Sequence, residues 1–126
     1  MRMRGGRYAC MACLALASCT TALREDAPRN VGPLLLAPGE HHDDCVRLAL
    51  GDRVLFRFDA APAAAFSVRY HSGEALVHPM IRSPTESDSG FFVAAETRTY
   101  CFEWIAGTTS AEPTRLTYHL SLERRQ

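Results

Sequence analysis

The segment Thr99-Tyr100-Cys101-Phe102-Glu103-Trp104-Ile105 decides the fold. Its aromatic residues recur at every second position: Tyr100, Phe102, Trp104. That is the spacing of a β-strand with one buried face, because successive side chains on a strand point to opposite sides of the sheet. Cys101, Glu103 and Ile105 then share the other face. The arrangement contains a conflict. If the aromatics face the core, a covalent bond made by Cys101 clips the outside of the sheet, unless a bulge intervenes. The expectation is that the aromatics face inward.

The same alternation spreads outward from this segment. Val46, Leu48 and Leu50 alternate with Arg47 and Ala49, Gly51-Asp52 marks a turn, and Val54, Phe56 and Phe58 follow. These two runs predict a hairpin. Phe66, Val68 and Tyr70 form the next run, Ser72-Gly73 a turn, and Ala75–Ile81 another strand. Phe91–Ala95 and the Leu116, Tyr118, Leu120, Leu122 series complete the pattern, with Pro33–Ala37 as a first strand. Glu40–Asp44, Ala60–Ala65 with its Pro62, Ser83–Ser89 and Gly107–Pro113 read as loops. With no amphipathic helix of useful length, the prediction is all-β: a single small antiparallel β-sandwich of seven to eight strands. The predicted core is Val46, Leu48, Val54, Phe56, Phe58, Phe66, Val68, Tyr70, Phe91, Tyr100, Phe102, Trp104, Leu116, Tyr118 and Leu120.

A chain of 126 residues suits one small domain. Its 14 basic residues balance 14 acidic ones, and every basic residue is arginine. No basic stripe tracks a phosphate backbone, so a nucleic-acid partner is not expected.

The N-terminus carries its own signal. Arg2, Arg4 and Arg7 precede an apolar run from Tyr8 to Ala17. The run falls short of the roughly 20 residues that cross a bilayer and suits the core of a signal peptide. It ends in Leu16-Ala17-Ser18-Cys19, which resembles the lipobox of bacterial lipoproteins. The resemblance implies that residues 1–18 are a cleaved signal peptide and that Cys19 is acylated, palmitate being one such chain. Residues 19–32 then form a flexible tether and 33–126 the β-sandwich domain. Thr20 stands where an aspartate would signal inner-membrane retention. The expected location is therefore the bacterial cell envelope, on the outer membrane facing the periplasm. The competing reading is an ordinary signal peptide cut after a small-x-small site.

Five cysteines are present, at 10, 13, 19, 45 and 101. On the lipobox reading the first two are removed and Cys19 is acylated, which leaves Cys45 and Cys101 in an oxidising compartment. A disulfide between them would close a loop of about 56 residues and constrain the unfolded chain by roughly 4 kcal/mol. A metal-thiolate or redox pair is the alternative, though neither cysteine lies in a C-x-x-C.

Cys45-Val46-Arg47-Leu48, Phe66-Ser67-Val68-Arg69-Tyr70 with Ser72-Gly73-Glu74, Ser89-Gly90-Phe91-Phe92, and Tyr100-Cys101-Phe102-Glu103-Trp104 together resemble the GOLD (Golgi dynamics) β-sandwich. That domain forms the lumenal part of transmembrane cargo receptors. The resemblance covers about residues 40 to 122. It implies the fold, a disulfide joining Cys45 to Cys101, and a binding role in place of a catalytic one. The sequence departs from that family in showing neither a coiled-coil segment nor a C-terminal membrane span, and in carrying a lipobox. Cargo sorting does not carry over.

Candidate chemistry is sparse. Glu40-His41-His42-Asp43-Asp44 has metal-ligand residue types, but neighbours on a strand face opposite ways, so His41 and His42 share an ion only if the loop curls. Glu86-Ser87-Asp88-Ser89 lacks the spaced oxygen ligands of a calcium loop. His71, His78 and His119 accompany no nucleophile elbow. No catalytic residue, cofactor or metal is assigned. Of the adjacent Phe91 and Phe92 one must face outward, and Phe92 is assigned that role, as a partner-contact or membrane-proximal surface. The expected function is a membrane-anchored envelope lipoprotein whose β-sandwich is a non-catalytic binding or structural module. Its partner would be an envelope protein or cell-wall component. The alternative is a metal-handling lipoprotein using His41, His42, Asp43 and Asp44.

Overall fold

Six strands follow one another in the computed structural model, which describes residues 26–125. They are β1 (Arg29–Leu36), β2 (His41–Leu48), β3 (Arg53–Ser72), β4 (Ala75–Val93), β5 (Arg98–Ala106) and β6 (Thr114–Glu123). The signal peptide, Cys19 and the tether up to residue 25 lie outside the described residues. The fold is all-β and antiparallel, and no helix occurs among the described residues.

The strand count is where structure and expectation part. Eight sequence runs become six strands because two pairs of runs are continuous. The alanine stretch Ala60–Ala65 continues β3, and Ser83–Ser89 continues β4. The polar Glu40–Asp44 segment is also not a loop, since β2 starts at His41. The first strand starts at Arg29, four residues before Pro33.

These long strands turn a corner. The first half of β3 pairs with β6 (Arg53↔Glu123 to Ala61↔Arg115), the second half with β5 (Ala64↔Ala106 to Arg69↔Cys101). β4 accompanies β3 along both halves, with register shifts between Asp59 and Phe66. β1 adds to β6 and β2 to β5. The result is one continuous sheet, β1-β6-β3-β5-β2 with β4 on the other edge of β3, curled into an open half-barrel. Its two leaves face each other across the core. The predicted β2–β3 hairpin is corrected accordingly: β2 pairs with β5, and the turn after β2 carries the chain from one leaf of this single sheet to the other.

The sharpness of the corner can be measured. A straight strand rises about 3.3 Å per residue, which would set Phe56 and Phe66 roughly 33 Å apart. Their ring centroids are 4.7 Å apart. In β4, Arg82 Nη1 reaches Asp88 Oδ2 at 2.9 Å. Small residues line the bend: Ala60, Ala64 and Ala106 are all buried there.

The core is aromatic. Trp104 of β5 stacks on Tyr118 of β6 with centroids 4.1 Å apart, so one leaf rests directly on the other. Phe92 of β4 meets Tyr100 of β5 edge-on at 5.0 Å. Leu48, Val54, Phe56, Phe58, Phe66, Val68, Tyr100, Phe102, Trp104, Leu116, Tyr118 and Leu120 are buried as expected, while Val46 and Tyr70 are partly buried. Phe91 is corrected: it is 53% exposed, and its neighbour Phe92 is 6% exposed. Val54 points inward and pairs with Phe92, and Leu55 points outward and pairs with Phe91, so register assigns the two phenylalanines their faces.

The aromatics of β5 do face in, and Cys45 and Cys101 form a disulfide directly across the β2–β5 pair. It clips the outside of the sheet, with Cys45 exposed and no bulge in between.

A buried carboxylate ties the crossing loops to the chain end. Asp52 is 2% exposed. Its carboxylate accepts from the Ala49 amide (2.8 Å), the Arg125 amide (2.8 Å) and Arg124 Nη1 (2.7 Å). Burial alone would raise its pKa, but those hydrogen bonds and the Arg124 charge outweigh it and hold the group below the usual carboxylate range. Within the same turn Gly51 has φ +89°, a conformation that glycine adopts without strain.

Two outcomes follow. Asp52→Asn lowers unfolding free energy at pH 7 by about 2 kcal/mol, measured in urea. A depressed folded pKa stabilises fully above the unfolded value of about 4 and loses that contribution as pH falls through the folded value. The wild type therefore loses part of its advantage over Asp52→Asn on acidification below about pH 4. Separately, Cys45→Ala/Cys101→Ala opens no core cavity, so its cost is the loop term of roughly 4 kcal/mol. A thiol assay on the denatured wild type finds no free Cys45 or Cys101 thiol until reductant is added.

Candidate functional site

The polar start of β2 is divided by the pleat. His42 and Asp44 point into the half-barrel, opposite Trp104 and Phe102, while His41 and Asp43 point out, opposite Ile105 and Glu103. The four side chains therefore do not converge on one point. Among the described residues, no group of three or more histidine, cysteine, aspartate or glutamate side chains is gathered to hold a metal ion.

The inward pair builds a latch between the leaves. Tyr118 of β6 donates its hydroxyl proton to Asp44 Oδ2 at 2.7 Å. The Tyr118 oxygen is then free to accept from His42 Nε2, 3.0 Å away, which fixes the proton on that ring nitrogen. Arg29 of β1 closes the chain by pairing with Asp44 and donating to the Cys45 carbonyl. Burial, reinforced by the Asp44 carboxylate, pushes the Tyr118 pKa upward, so the phenol stays protonated and keeps donating. Beside it the Trp104 indole N–H, wholly buried, has no hydrogen-bond partner.

The outward pair joins a surface cluster. Glu103, buried at 8% exposure, receives His41 Nδ1 on one oxygen (2.9 Å) and Arg69 Nε near the other (3.6 Å). Arg69 also pairs with Asp43. The cluster sits next to the disulfide, since Arg69 neighbours Cys101 in the β3–β5 ladder.

The remaining sequence candidates separate. His119 lies on β6 with Nδ1 2.6 Å from Asn30 Oδ1. His71 and His78 sit on β3 and β4, flanking the Ser72-Gly73 turn. Asp88 belongs to β4 and pairs with Arg82. Phe92, assigned to a partner surface, lies in the core.

Phe91 takes the outward place instead. On the outer face of β4, β3 and β6 it stands across from Leu55, next to Val93, and all three are exposed. Leu55 and Phe91 border an open groove of about 620 Å³, lined also by Arg53, Arg57, Ser89 and His119, among others. The Arg53 guanidinium lies 5.3 Å from the Phe91 ring centroid while also bonding Glu123 at 2.6 Å. Arg57 is exposed and forms no ion pair among the described residues. An apolar strip edged by cations is the candidate surface among the described residues. Sequence reasoning missed it because Leu55 and Phe91 sit in runs whose inward partners, Val54, Phe56 and Phe92, are equally apolar. Only the register tells the faces apart.

No protein-family model matches the chain, and no curated protein matches it. Among solved structures, a de novo designed double-stranded β-helix is similar over 77% of this chain and 99% of its own, with 18% identity and a TM-score of 0.40.

Truncating the two phenylalanines separates core from surface. Phe92→Ala leaves a cavity against Tyr100 and Phe102 and costs about 3 kcal/mol in urea unfolding, whereas Phe91→Ala shifts stability by less than about 0.5 kcal/mol.

Proposed function

We propose that this chain is a lipid-anchored lipoprotein of the bacterial envelope whose β-domain is a non-catalytic binding module. The observation that carries the reading is the Leu16-Ala17-Ser18-Cys19 sequence at the end of a charged and then apolar leader. Two features support it. The Cys45–Cys101 disulfide suits an exported chain. The exposed Leu55, Phe91 and Val93 strip, beside Arg53 and Arg57, offers a surface for a partner. In this reading Cys19 carries the acyl chains, more than one of which gives firm attachment, and the domain faces the periplasm from the outer membrane. The partner is an envelope protein, a cell-wall component or the envelope membrane itself. The metal-handling alternative has no observation in its favour, since the pleat sends His41 and Asp43 away from His42 and Asp44.

Growth of a bacterial host expressing the chain with radioactive fatty acid tests the anchor. The wild type takes up label and Cys19→Ala does not. Equal labelling of both removes the lipoprotein assignment.

A further inference from the structure

The start of the described chain and the apolar strip lie at one end of the molecule. The described chain begins at Asp26, whose carboxylate is held by Arg124 Nη2 at 2.9 Å. Arg124 follows Glu123, the partner of Arg53, and Arg53 pairs across the sheet with Val93. The chain thus enters at the same end of that leaf as Arg53 and Val93, on its inner side, where Arg124 also donates to the Arg47 carbonyl and to Asp52 and Ala27 lies by Val46, Val54 and Leu122. Seven residues, Thr20 to Asp26, follow Cys19, and even fully extended they reach only about 25 Å. A domain of this size is itself roughly 30 Å across, so an acyl group on Cys19 keeps the entry end near the bilayer.

The chemistry of that end fits a bilayer surface. Leu55, Phe91 and Val93 are 37%, 53% and 46% exposed, and lie on adjacent strands with Leu55 opposite Phe91. Leu50, 53% exposed, projects from the turn whose Gly51 amide donates to the Ala94 carbonyl, one residue past Val93. Arg53 and Arg57 alternate with Leu55 along β3, and Arg125 packs over Gly51. The nearest carboxylates are Glu123, paired with Arg53, Asp59 one row beyond Arg57, Glu96 beside the Leu50 turn and paired with Arg98, and Asp26, paired with Arg124. Glu74, at the hairpin tip, belongs to the other leaf. Apolar side chains interleaved with arginines, at the end of the domain where the described chain begins, form the pattern of an interfacial membrane contact.

We infer that the outer face of β4, β3 and β6, with Leu55, Phe91 and Val93 at its centre and the Leu50 turn at its end, lies on a bilayer containing anionic phospholipid. Phe91 and the leucines enter the headgroup boundary, and Arg53 and Arg57 meet lipid phosphates. The opposite leaf, with the disulfide and the His41–Glu103–Arg69 cluster, then faces away from the membrane. The inference rests on the lipid-anchor reading.

The test uses the full acylated chain, reconstituted in phosphatidylglycerol–phosphatidylcholine vesicles with brominated acyl chains. Phe91→Trp supplies a probe at the centre of the face, and Ile81→Trp, at a position 70% exposed on the other leaf, supplies the control. Trp104 is wholly buried and contributes a constant background. The expected result is loss of about half of the added Phe91→Trp emission and no loss for Ile81→Trp. Adding Arg53→Glu/Arg57→Glu to Phe91→Trp abolishes most of that quenching while the chain still floats with the vesicles. Equal quenching at both positions, or none at either, in a chain that floats overturns the orientation and leaves the anchor standing. A concentration-dependent blue shift of Phe91→Trp without quenching assigns the face to a second copy and also overturns it. A chain that does not float removes the anchor and the inference together.

Discussion

The structure depends on β3 and β4 turning a corner together. A sheet of short strands could bury its aromatic face only against a second, separate sheet. Here the sheet buries that face against itself. Phe56 and Phe66, ten residues apart on one strand, touch across the fold, and so do Phe58 and Phe66. Alanines at the bend let the backbone come close, and Thr114 donates to the Pro62 carbonyl to hold the outer strand at the corner. Once β3 turns, the rest follows. Its outer edge offers one half to β6 and the other to β5, and each of these recruits one further strand.

Closure is completed by unlike interactions at the two open margins. Near β1 and β2, the His42–Tyr118–Asp44–Arg29 chain joins three strands from both leaves. Each of its members has a hydrogen-bond partner, the condition on which polar groups inside a fold stabilise it instead of weakening it. Near the ends of β2 and β6, Asp52 gathers two backbone amides and an arginine. The disulfide acts differently again. It lies on the exposed face and joins neighbouring strands, so it constrains the chain without touching the core. Packing, polar latch and covalent clip thus occupy separate places.

The same division leaves the two faces of the molecule with different characters. One leaf presents a charged cluster around Glu103, with Asp43, Arg69 and His41. The other presents apolar side chains between arginines, at the end of the leaf where the described chain begins. A lipid-anchored module with its apolar face toward the bilayer would leave the charge-paired leaf free for other envelope components.

Much of this was legible in the residues. Period-two patterning determined that the fold is all-β, and it identified twelve of the fifteen expected core residues as buried, among them Tyr100, Phe102 and Trp104. With the lipobox reading, cysteine counting pointed to Cys45 and Cys101, and the alternation of the Tyr100–Trp104 strand implied that their bond lies outside the sheet. Tertiary structure alone decided the remainder. Ala60–Ala65 and Ser83–Ser89 read as loops because alanine, proline and serine carry little strand signal. They are strand because the neighbouring ladders continue through them. His41–Asp44 reads as a polar loop because its burial depends on Tyr118 and Arg29, which are distant in sequence. Phe91 and Phe92 are chemically alike, and a shift of one residue exchanges their faces, so only pairing with Leu55 and Val54 separates the core residue from the surface one. Local alternation is written in each segment, but which segments join, and in what register, is set by contacts between residues far apart in the chain.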